Sequence, residues 1–205
     1  RWKLYLKGLG VTLEVAFFAA LIGIVIGTVV AFMKLSVRKN GKPTIFAQIA
    51  NIYIDIIRGT PSMLQLLIMY FVVMANCKNS VLVASLTFGI NSGAYVAESV
   101  RGGIMSIDAR QFEAGRSLGF NYTQTMIHIV LPQALKNVLP ALGNEFIVLL
   151  KETSVAGYIA LEDLTKGADI IRSQTFAPMM PLLAVAAIYL AFVMLLSWLI
   201  KLLER

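Results

Sequence analysis

Five long runs of apolar residues are the main pattern in this chain. A helix needs about 20 apolar residues to cross the hydrocarbon core of a bilayer. The runs therefore predict five transmembrane helices, over residues 9–33, 61–76, 81–105, 135–160 and 180–203. Because the first run is too long for a signal-peptide core and no cleavage pattern follows it, we interpret it as a retained span. The predicted fold is a single all-α integral membrane domain over residues 1–205.

Polar or helix-breaking residues interrupt two of these regions. The first break is Arg58-Gly59-Thr60-Pro61, where Thr60 is a predicted N-cap and Pro61 a predicted first residue of a new helix. The second break is Lys151-Glu152-Thr153-Ser154. Broken helices in transporters expose helix termini and unwound backbone, which bind substrates and ions. The two breaks are therefore candidate parts of a substrate site.

Two further segments are predicted to lie at the membrane surface. Residues 44–58 precede the first break and have a polar stripe at three- and four-residue steps, so they are predicted to form an interfacial or tilted helix. Residues 161–177 follow the second break and are predicted to form an amphipathic helix and a loop.

The composition supports a membrane protein and excludes several other classes. Apolar residues make up 58% of the 205 residues, against about 45–50% in a soluble domain. The net charge of +7 lies largely in short loops, which suits a bilayer protein better than a nucleic-acid binder. Cys77 is the single cysteine, so an internal disulfide and a cysteine-rich metal site are excluded.

The sequence also lacks the motifs of an ATPase or a metalloenzyme. It contains neither a GxxxxGK[ST] phosphate-binding loop nor an HExxH pair, and its one histidine has no cysteine beside it. We therefore predict that this chain is not an enzyme, with no catalytic residue, no metal site and no cofactor of its own.

A mixed polar and apolar window over residues 107–132, called here the 107–132 loop, separates the third and fourth predicted spans. It predicts two short helices. Asp108 is the predicted N-cap of the first helix, with Gln111 three residues later as its capping-box partner. Gly119 is the predicted left-handed residue at the end of that helix. Asn121 is the predicted N-cap of the second helix, with Gln124 three residues later as its partner. Pro132 is predicted to end that helix. A helix-turn-helix for DNA has a similar outline, but the flanking spans and mixed charges argue against nucleic acid.

The 107–132 loop resembles the EAA loop of binding-protein-dependent ABC importer permeases. That family pattern is EAA, three residues, Gly, nine residues, Ile, one residue and Leu-Pro, and it is matched here by Glu113, Ala114, Gly115, Gly119, Ile129, Leu131 and Pro132. Gly115 stands where the family usually has a second alanine. The resemblance implies a type I importer (MetI-like) permease fold with five transmembrane helices. It also implies that the loop is a coupling helix that docks on a separate ATPase.

The same resemblance implies a set of partners. These are two ATPase subunits that bind ATP and Mg²⁺, a second permease subunit (identical or homologous), and an extracellular or periplasmic amino-acid-binding protein. Three further stretches are similar to polar amino-acid permeases: Arg58 to Pro61, Tyr95 to Glu98 with Arg101 to Ile104, and Lys151 to Ser154. Glu152 stands where that group more often has Asp or Asn.

An amino-acid zwitterion needs one site for its carboxylate and another for its ammonium, and ionisable groups in membrane spans are candidates for both. The candidate substrate-binding residues are Asn51, Asp55, Arg58, Thr60, Gln65, Tyr95, Glu98, Lys151, Glu152, Thr153 and Ser154. The acidic members Asp55, Glu98 and Glu152 favour a cationic amino acid such as arginine, lysine or histidine.

Structural explanations stay open for several of these residues. Glu98 and Arg101 lie one helical turn apart, so a local ion pair accounts for both as well as substrate binding does. Asn51 and Asp55 fit the solvent face of an interfacial helix. Arg58 and Lys151 fit snorkelling to headgroups. Other polar residues of the chain have their own alternatives. Glu145 fits a hydrogen bond between helices, and His128 fits the surface of the 107–132 loop.

The distribution of lysine and arginine predicts the orientation. With Arg58 unassigned, one orientation has ten of these residues inside and seven outside, of 18 in total. The positive-inside rule then puts the 107–132 loop and the C-terminus in the cytoplasm and the N-terminus outside. The family resemblance implies that the membrane is a prokaryotic cell (inner) membrane. The competing function is an ion-coupled secondary transporter, for which an internal sequence repeat is typical but not found here.

Overall fold

The computed structural model describes residues 2–36 and 42–203, and helices make up most of this part of the chain. Arg1, Arg38, Lys39 and Arg205, which the charge count uses, lie outside the described residues. The helices are Trp2–Leu35 (α1), Ile45–Gly59 (α2), Ser62–Ile68 (α3), Ser80–Met105 (α4), Arg110–Ser117 (α5), Tyr122–Thr125 (α6), Leu131–Glu152 (α7), Leu164–Thr175 (α8) and Met179–Leu203 (α9). Two π turns, Met69–Val73 and Met126–Val130, and a 3₁₀ helix, Thr153–Ile159, connect some of them.

Three of the described helices are long and apolar enough to cross a membrane: α1, α4 and α9. The pair formed by α2 and the segment from Ser62 to Val73 is bent by 102° and counts as a fourth only if it is one broken span. The segment from Ser62 to Val73 is only ~18 Å long as a helix. α7 has 22 residues but includes Glu145 and other polar residues. Crossing by residues 61–76 and 135–160 therefore stays a prediction.

α1 and α4 pack closely along faces made of small residues. A Cβ atom added at Gly27 of α1 would lie 2.5 Å from Val96 Cβ and 2.8 Å from the Gly93 carbonyl oxygen of α4. A Cβ atom added at Gly89 of α4 would lie 2.6 Å from Ile22 Cγ2. Because lipid is as apolar as the side chains, helices in a bilayer associate through such close packing rather than through hydrophobic burial.

α8 packs against the N-terminal part of α1. Asp163 caps α8, since its carboxylate accepts hydrogen bonds of 3.0 Å from the backbone N–H groups of Thr165 and Lys166. The Leu164 N–H donates to Thr12 Oγ1 of α1 at 3.2 Å. Burial raises the pKa of the Asp163 carboxyl, and these backbone hydrogen bonds act in the opposite direction. The predicted surface segment 161–177 is thus an amphipathic helix whose apolar face is buried.

The second helix of the 107–132 loop does not end at Pro132. α6, the π turn Met126–Val130 and α7 follow one another without a break, and Pro132 lies in the first turn of α7. The Leu131 N–H bonds the Met126 carbonyl across the π turn. Proline in a regular helix clashes with the carbonyl four residues before it, and the wider turn just before Pro132 accommodates the ring. The predicted helix end at Pro132 is therefore wrong.

Gly27→Ala is expected to lower the melting temperature of the purified protein in detergent. Its Cβ would force α1 and α4 apart, and overpacking of this kind costs about 1–3 kcal/mol. The matched control is Gly10→Ala on the same helix, where an added Cβ has no atom within 4 Å. There the alanine gains roughly 1 kcal/mol of helix preference, so the melting temperature should stay or rise. Equal melting temperatures for the two variants would contradict the close packing.

Candidate functional site

A polar cavity of about 360 Å³ lies beside the break between α2 and α3. Residues from the break, from the middle of α4 and from the end of α7 form its wall. They are Arg58, Gly59, Thr60, Pro61, Ser62, Asn91, Tyr95 and Glu152. Four of the candidate substrate residues, Arg58, Thr60, Tyr95 and Glu152, are thus brought together in one cavity.

The break is an extended dipeptide between two helices. Thr60 and Pro61 have ψ angles of 143° and 135°, and α3 begins at Ser62. The Thr60 hydroxyl donates to the Ile56 carbonyl at 2.9 Å and accepts from Gln65 Nε2 at 2.7 Å. It therefore does not cap α3, where Pro61 occupies the N-cap position without a side-chain hydrogen bond. The predicted N-cap role of Thr60 is wrong because its hydroxyl bonds the preceding helix and Gln65.

Gln65, in the first turn of α3, forms hydrogen bonds with the backbone and side chain at the break. Its Nε2 lies 2.9 Å from the Ile57 carbonyl oxygen, 3.1 Å from the Thr60 carbonyl oxygen and 2.7 Å from Thr60 Oγ1. Its Oε1 accepts a hydrogen bond of 2.9 Å from Asn91 Nδ2 on α4. Gln65 was a candidate for direct substrate contact, but its amide is occupied by these partners and it is absent from the cavity wall.

Asn91 is a wall residue that sequence reasoning missed, as is Ser62. Asn91 lies in the middle of α4, is 3% exposed and faces the cavity. A signal for it was present, because Asn91 lies one helical turn before Tyr95 and two turns before Glu98 in an otherwise apolar span. Its neighbour Ser92 donates to Glu145 Oε1 on α7 at 2.8 Å, which is the bond between helices expected for Glu145.

The cavity combines one positive and one negative side chain. The Arg58 guanidinium carbon lies 5.1 Å from the centre of the Tyr95 ring, in a cation–π contact that positions the charge at the cavity wall. Glu152 reaches the same wall from the last residue of α7. A guanidinium binds carboxylates, and a carboxylate binds ammonium groups. The wall therefore has a charged partner for each end of a zwitterion.

Glu98 lies outside this cavity, in an ion cluster between α1 and α4. Its carboxylate accepts hydrogen bonds from the Lys34 ammonium and from Arg101 Nη2, the latter at 2.8 Å. All three side chains are mostly buried, with 20–29% of their surface exposed. The alternative of a Glu98–Arg101 pair thus agrees with the structure, and Lys34 is a second partner.

The remaining candidates are spread over other surfaces. Asp55 is exposed and Asn51 half-buried on α2, and Lys151 is exposed at the end of α7. Thr153 is buried, and its hydroxyl donates to the Leu150 carbonyl at 2.8 Å. Ser154 lines a different cavity of about 400 Å³ between the 3₁₀ helix, α8 and α9. The structure does not bring these five residues to the cavity wall.

The 107–132 loop has most of its predicted local structure. Gly119 has a φ angle of +82°, so it adopts the left-handed conformation after α5. Asn121 and Gln124 form a reciprocal capping box with hydrogen bonds of 2.8 and 2.9 Å. Asp108 accepts from the Arg110 backbone and side chain, and these bonds hold the pKa of its carboxyl below the usual range. The predicted cap is nevertheless wrong, because α5 begins at Arg110 with Ala109 at its N-cap position and without a side-chain cap. Gln111 does not bond Asp108, and its side chain instead accepts from Gln133 at 3.4 Å.

The absence of a side chain at Gly115 allows α5 to lie against α6. A Cβ atom at this buried position would lie 2.5 Å from Thr125 Oγ1 and 2.6 Å from Thr125 Cγ2. The rings of Phe112 and Tyr122 stack beside this contact with their centres 5.7 Å apart. Glycine therefore stands in place of the usual alanine because Thr125 fills the space that an alanine methyl would need.

The outer surface of the loop contains both charged and large apolar side chains. Glu113 and Ala114 are exposed, and Leu118 and Tyr122 are 71% and 69% exposed. The inner side packs on the ends of α4 and α7 through a small core of Ile104, Val130 and Ala134 with several partly buried neighbours. The loop is thus fixed to two cavity-forming helices, and charged and large apolar side chains are exposed on its outer surface.

The chain matches a known family over most of its length. The model of the family described as binding-protein-dependent transport system inner membrane component matches residues 23–205. The provisionally named glutamine transport system permease protein GlnP of Rickettsia typhi is 38% identical, over 98% of this chain and 91% of that protein. The arginine transport system permease protein ArtQ of Bacillus subtilis is 36% identical, over 98% of this chain and 90% of that protein.

A solved structure gives the same result for the fold. The crystal structure of an amino acid ABC transporter with histidines matches with a TM-score of 0.90 and 42% identity, over 99% of this chain and 94% of that chain. The predicted all-α fold of a type I ABC importer permease is therefore confirmed. The chain belongs to the binding-protein-dependent transport system inner membrane components, the multi-pass permeases of ABC transporters, and within them to the polar amino-acid permeases.

Proposed function

We propose that this chain is the membrane subunit of an ATP-driven uptake system for polar or cationic amino acids. The observation that supports this most directly is the cavity beside Thr60, where Arg58 and Glu152 offer opposite charges on one wall. In this proposal Arg58 binds the substrate carboxylate and Glu152 binds its ammonium group. The glutamine and arginine systems named for the relatives are consistent with a site that recognises the common part of amino acids.

The preference for a cationic side chain has less support than the zwitterion site. It rested on Asp55, Glu98 and Glu152, but Asp55 is exposed and the charge of Glu98 is compensated by Lys34 and Arg101. Glu152 alone of the three lines the cavity, where Arg58 offsets it. Arginine, lysine and histidine therefore stay proposed substrates together with neutral polar amino acids such as glutamine.

The 107–132 loop is the proposed dock for a separate ATPase subunit. ATP and Mg²⁺ would bind that subunit, and two copies would act on two permease subunits, identical or homologous. A partner that pushes the loop would move α7, because α6, the π turn Met126–Val130 and α7 form one continuous helical path that ends at Glu152. The loop also follows directly on α4, which carries Asn91 and Tyr95. Movement of the loop would thus reach the cavity through α4 as well as through α7.

Alternating access then needs only a difference in binding. ATP must bind one conformation of the assembly more tightly than the other, and this difference in binding free energy is the coupling free energy. In the proposed orientation the loop and the C-terminus are cytoplasmic, and an extracellular or periplasmic binding protein delivers substrate on the opposite face. An ion-coupled transporter is the alternative, and it would take up amino acids into proteoliposomes without the ATPase.

Glu152→Gln and Arg58→Gln are each expected to weaken amino-acid uptake by reconstituted complexes. Removal of a charge-assisted hydrogen bond costs about 1.5–3 kcal/mol, which is roughly 10- to 100-fold in affinity. The measurement is ATP-dependent uptake of radiolabelled glutamine and arginine into proteoliposomes. Asp55→Asn removes an exposed carboxylate outside the cavity and should leave uptake nearly unchanged. If it impaired uptake as much as Glu152→Gln does, the substrate charge would be recognised elsewhere.

Glu113→Lys is expected to weaken binding of the ATPase while the permease stays folded. Glu113 is exposed on α5, so reversal of its charge changes the docking surface without changing the core. Co-purification of the ATPase and substrate-stimulated ATP hydrolysis should fall together, with an unchanged melting temperature of the permease alone. Lys78→Glu reverses an exposed charge outside the loop and serves as the control. If Glu113→Lys kept wild-type rates of ATP hydrolysis and amino-acid uptake, and hydrolysis still depended on substrate, the loop would not be the dock.

Gly115→Ala is expected to impair the same two activities by a different route. Its methyl group would collide with Thr125 and displace α5 from α6. The double variant Gly115→Ala with Thr125→Ala removes the colliding atoms and should recover most of the lost ATPase binding. Gly102→Ala, where an added Cβ has no atom within 4 Å, is the control. Failure of the double variant to recover would mean that Thr125 is not the reason for glycine at this position.

A further inference from the structure

The hydrogen bonds of Gln65 determine which way its amide group points. Nε2 lies within hydrogen-bond distance of two backbone carbonyl oxygens, those of Ile57 and Thr60. Carbonyl oxygens only accept hydrogen bonds, so the NH₂ end of the amide must face the break. The opposite orientation would put Oε1 against these two carbonyls. The oxygen of Gln65 must therefore face α4.

This orientation in turn determines the orientation of Asn91. Gln65 Oε1 is an acceptor, so the group that meets it at 2.9 Å is the Asn91 NH₂ group. Asn91 Oδ1 then remains without a protein partner in the described part of the chain. It is not sealed inside the protein, since Ser85 Oγ is the one fully buried side-chain atom there that has no hydrogen bond. Because Asn91 lines the cavity, its oxygen faces the space where substrate would lie.

We propose that Gln65 is a positioning residue that sets the hydrogen-bonding polarity of the cavity. Through Gln65, Asn91 presents an amide oxygen and not an NH₂ group, so the cavity selects a substrate side chain that has an N–H donor. Amide, guanidinium and imidazole groups meet this requirement, whereas carboxylates and esters do not. The inference rests on the proposed substrate site, in which Arg58 and Glu152 take the two charged ends and leave Asn91 for the side chain.

The test is the ratio of affinities for two neutral ligands that differ in one donor. Glutamine has a side-chain NH₂ group, and glutamate 5-methyl ester is a similar molecule that lacks it. Both are measured by competition with radiolabelled glutamine for the purified complex with its ATPase in nanodiscs, without a binding protein. We expect the wild type to prefer glutamine by about tenfold, the value of one hydrogen bond.

Gln65→Leu should bring this ratio close to one, because the Asn91 amide is then free to turn. Gln48→Leu is the matched control, since Gln48 is an exposed glutamine on α2 away from the cavity, and it should keep the wild-type ratio. Adding Asn91→Asp to Gln65→Leu should restore the preference for glutamine, because a carboxylate presents an oxygen in either orientation. A merely structural defect in Gln65→Leu would not be repaired in this way.

Three results would overturn the inference. One is a wild-type ratio in Gln65→Leu, and another is a lost preference that Asn91→Asp does not restore. The third is an absence of saturable binding by the wild type, which would mean that the cavity is not a substrate-binding site. Uptake into proteoliposomes with ATPase and binding protein then decides separately whether the proposed function holds. If Gln65→Leu does not fold, Gln65→Met takes its place, because it keeps the side-chain length but removes the amide oxygen that orients Asn91, and it should bring the ratio close to one as well.

Discussion

A break in a membrane helix is possible only where other groups bond the backbone that the break exposes, because the hydrocarbon core offers no water to do so. At the first break Gln65 supplies this function. Its NH₂ group bonds the carbonyls of Ile57 and Thr60, and the Thr60 hydroxyl bonds the carbonyl of Ile56. These bonds pair carbonyls at the point where α2 and α3 diverge, beside the cavity. The rest of the site is built around this bend.

The same constraint connects the cavity with the 107–132 loop. Asn91 and Ser92 are neighbours on α4, and one bonds α3 through Gln65 while the other bonds α7 through Glu145. α4 and α7 also meet at the loop, through the small core around Ile104. Force on the loop would therefore reach the cavity through helices that polar bonds and close packing hold together.

Sequence patterns predicted some of the local interactions but not all of them, since the caps expected at Thr60 and Asp108 do not form. The capping box of Asn121 with Gln124 and the left-handed Gly119 involve residues within three positions of each other, so their spacing alone indicates them. The role of Pro132 could not be read from spacing, because a π turn before it changes the rule for proline. Glu98 was ambiguous for another reason. Its partner Lys34 lies 64 positions away, and only the packing of α1 on α4 brings the two together.

The position of Glu98 in its ion cluster bears on how charge can act in transport. A carboxylate between Lys34 and Arg101 already has partners on two sides, so a cationic substrate would have to compete with both. The cation next to Glu152 on its own helix is Lys151, whose side chain is exposed to solvent. In the proposed site, Arg58 and Glu152 offer opposite charges on one cavity wall. Under that proposal the two charges offset each other, so discrimination between side chains would rest on hydrogen-bond polarity, and the orientation of the Asn91 amide would matter more than the number of acidic residues.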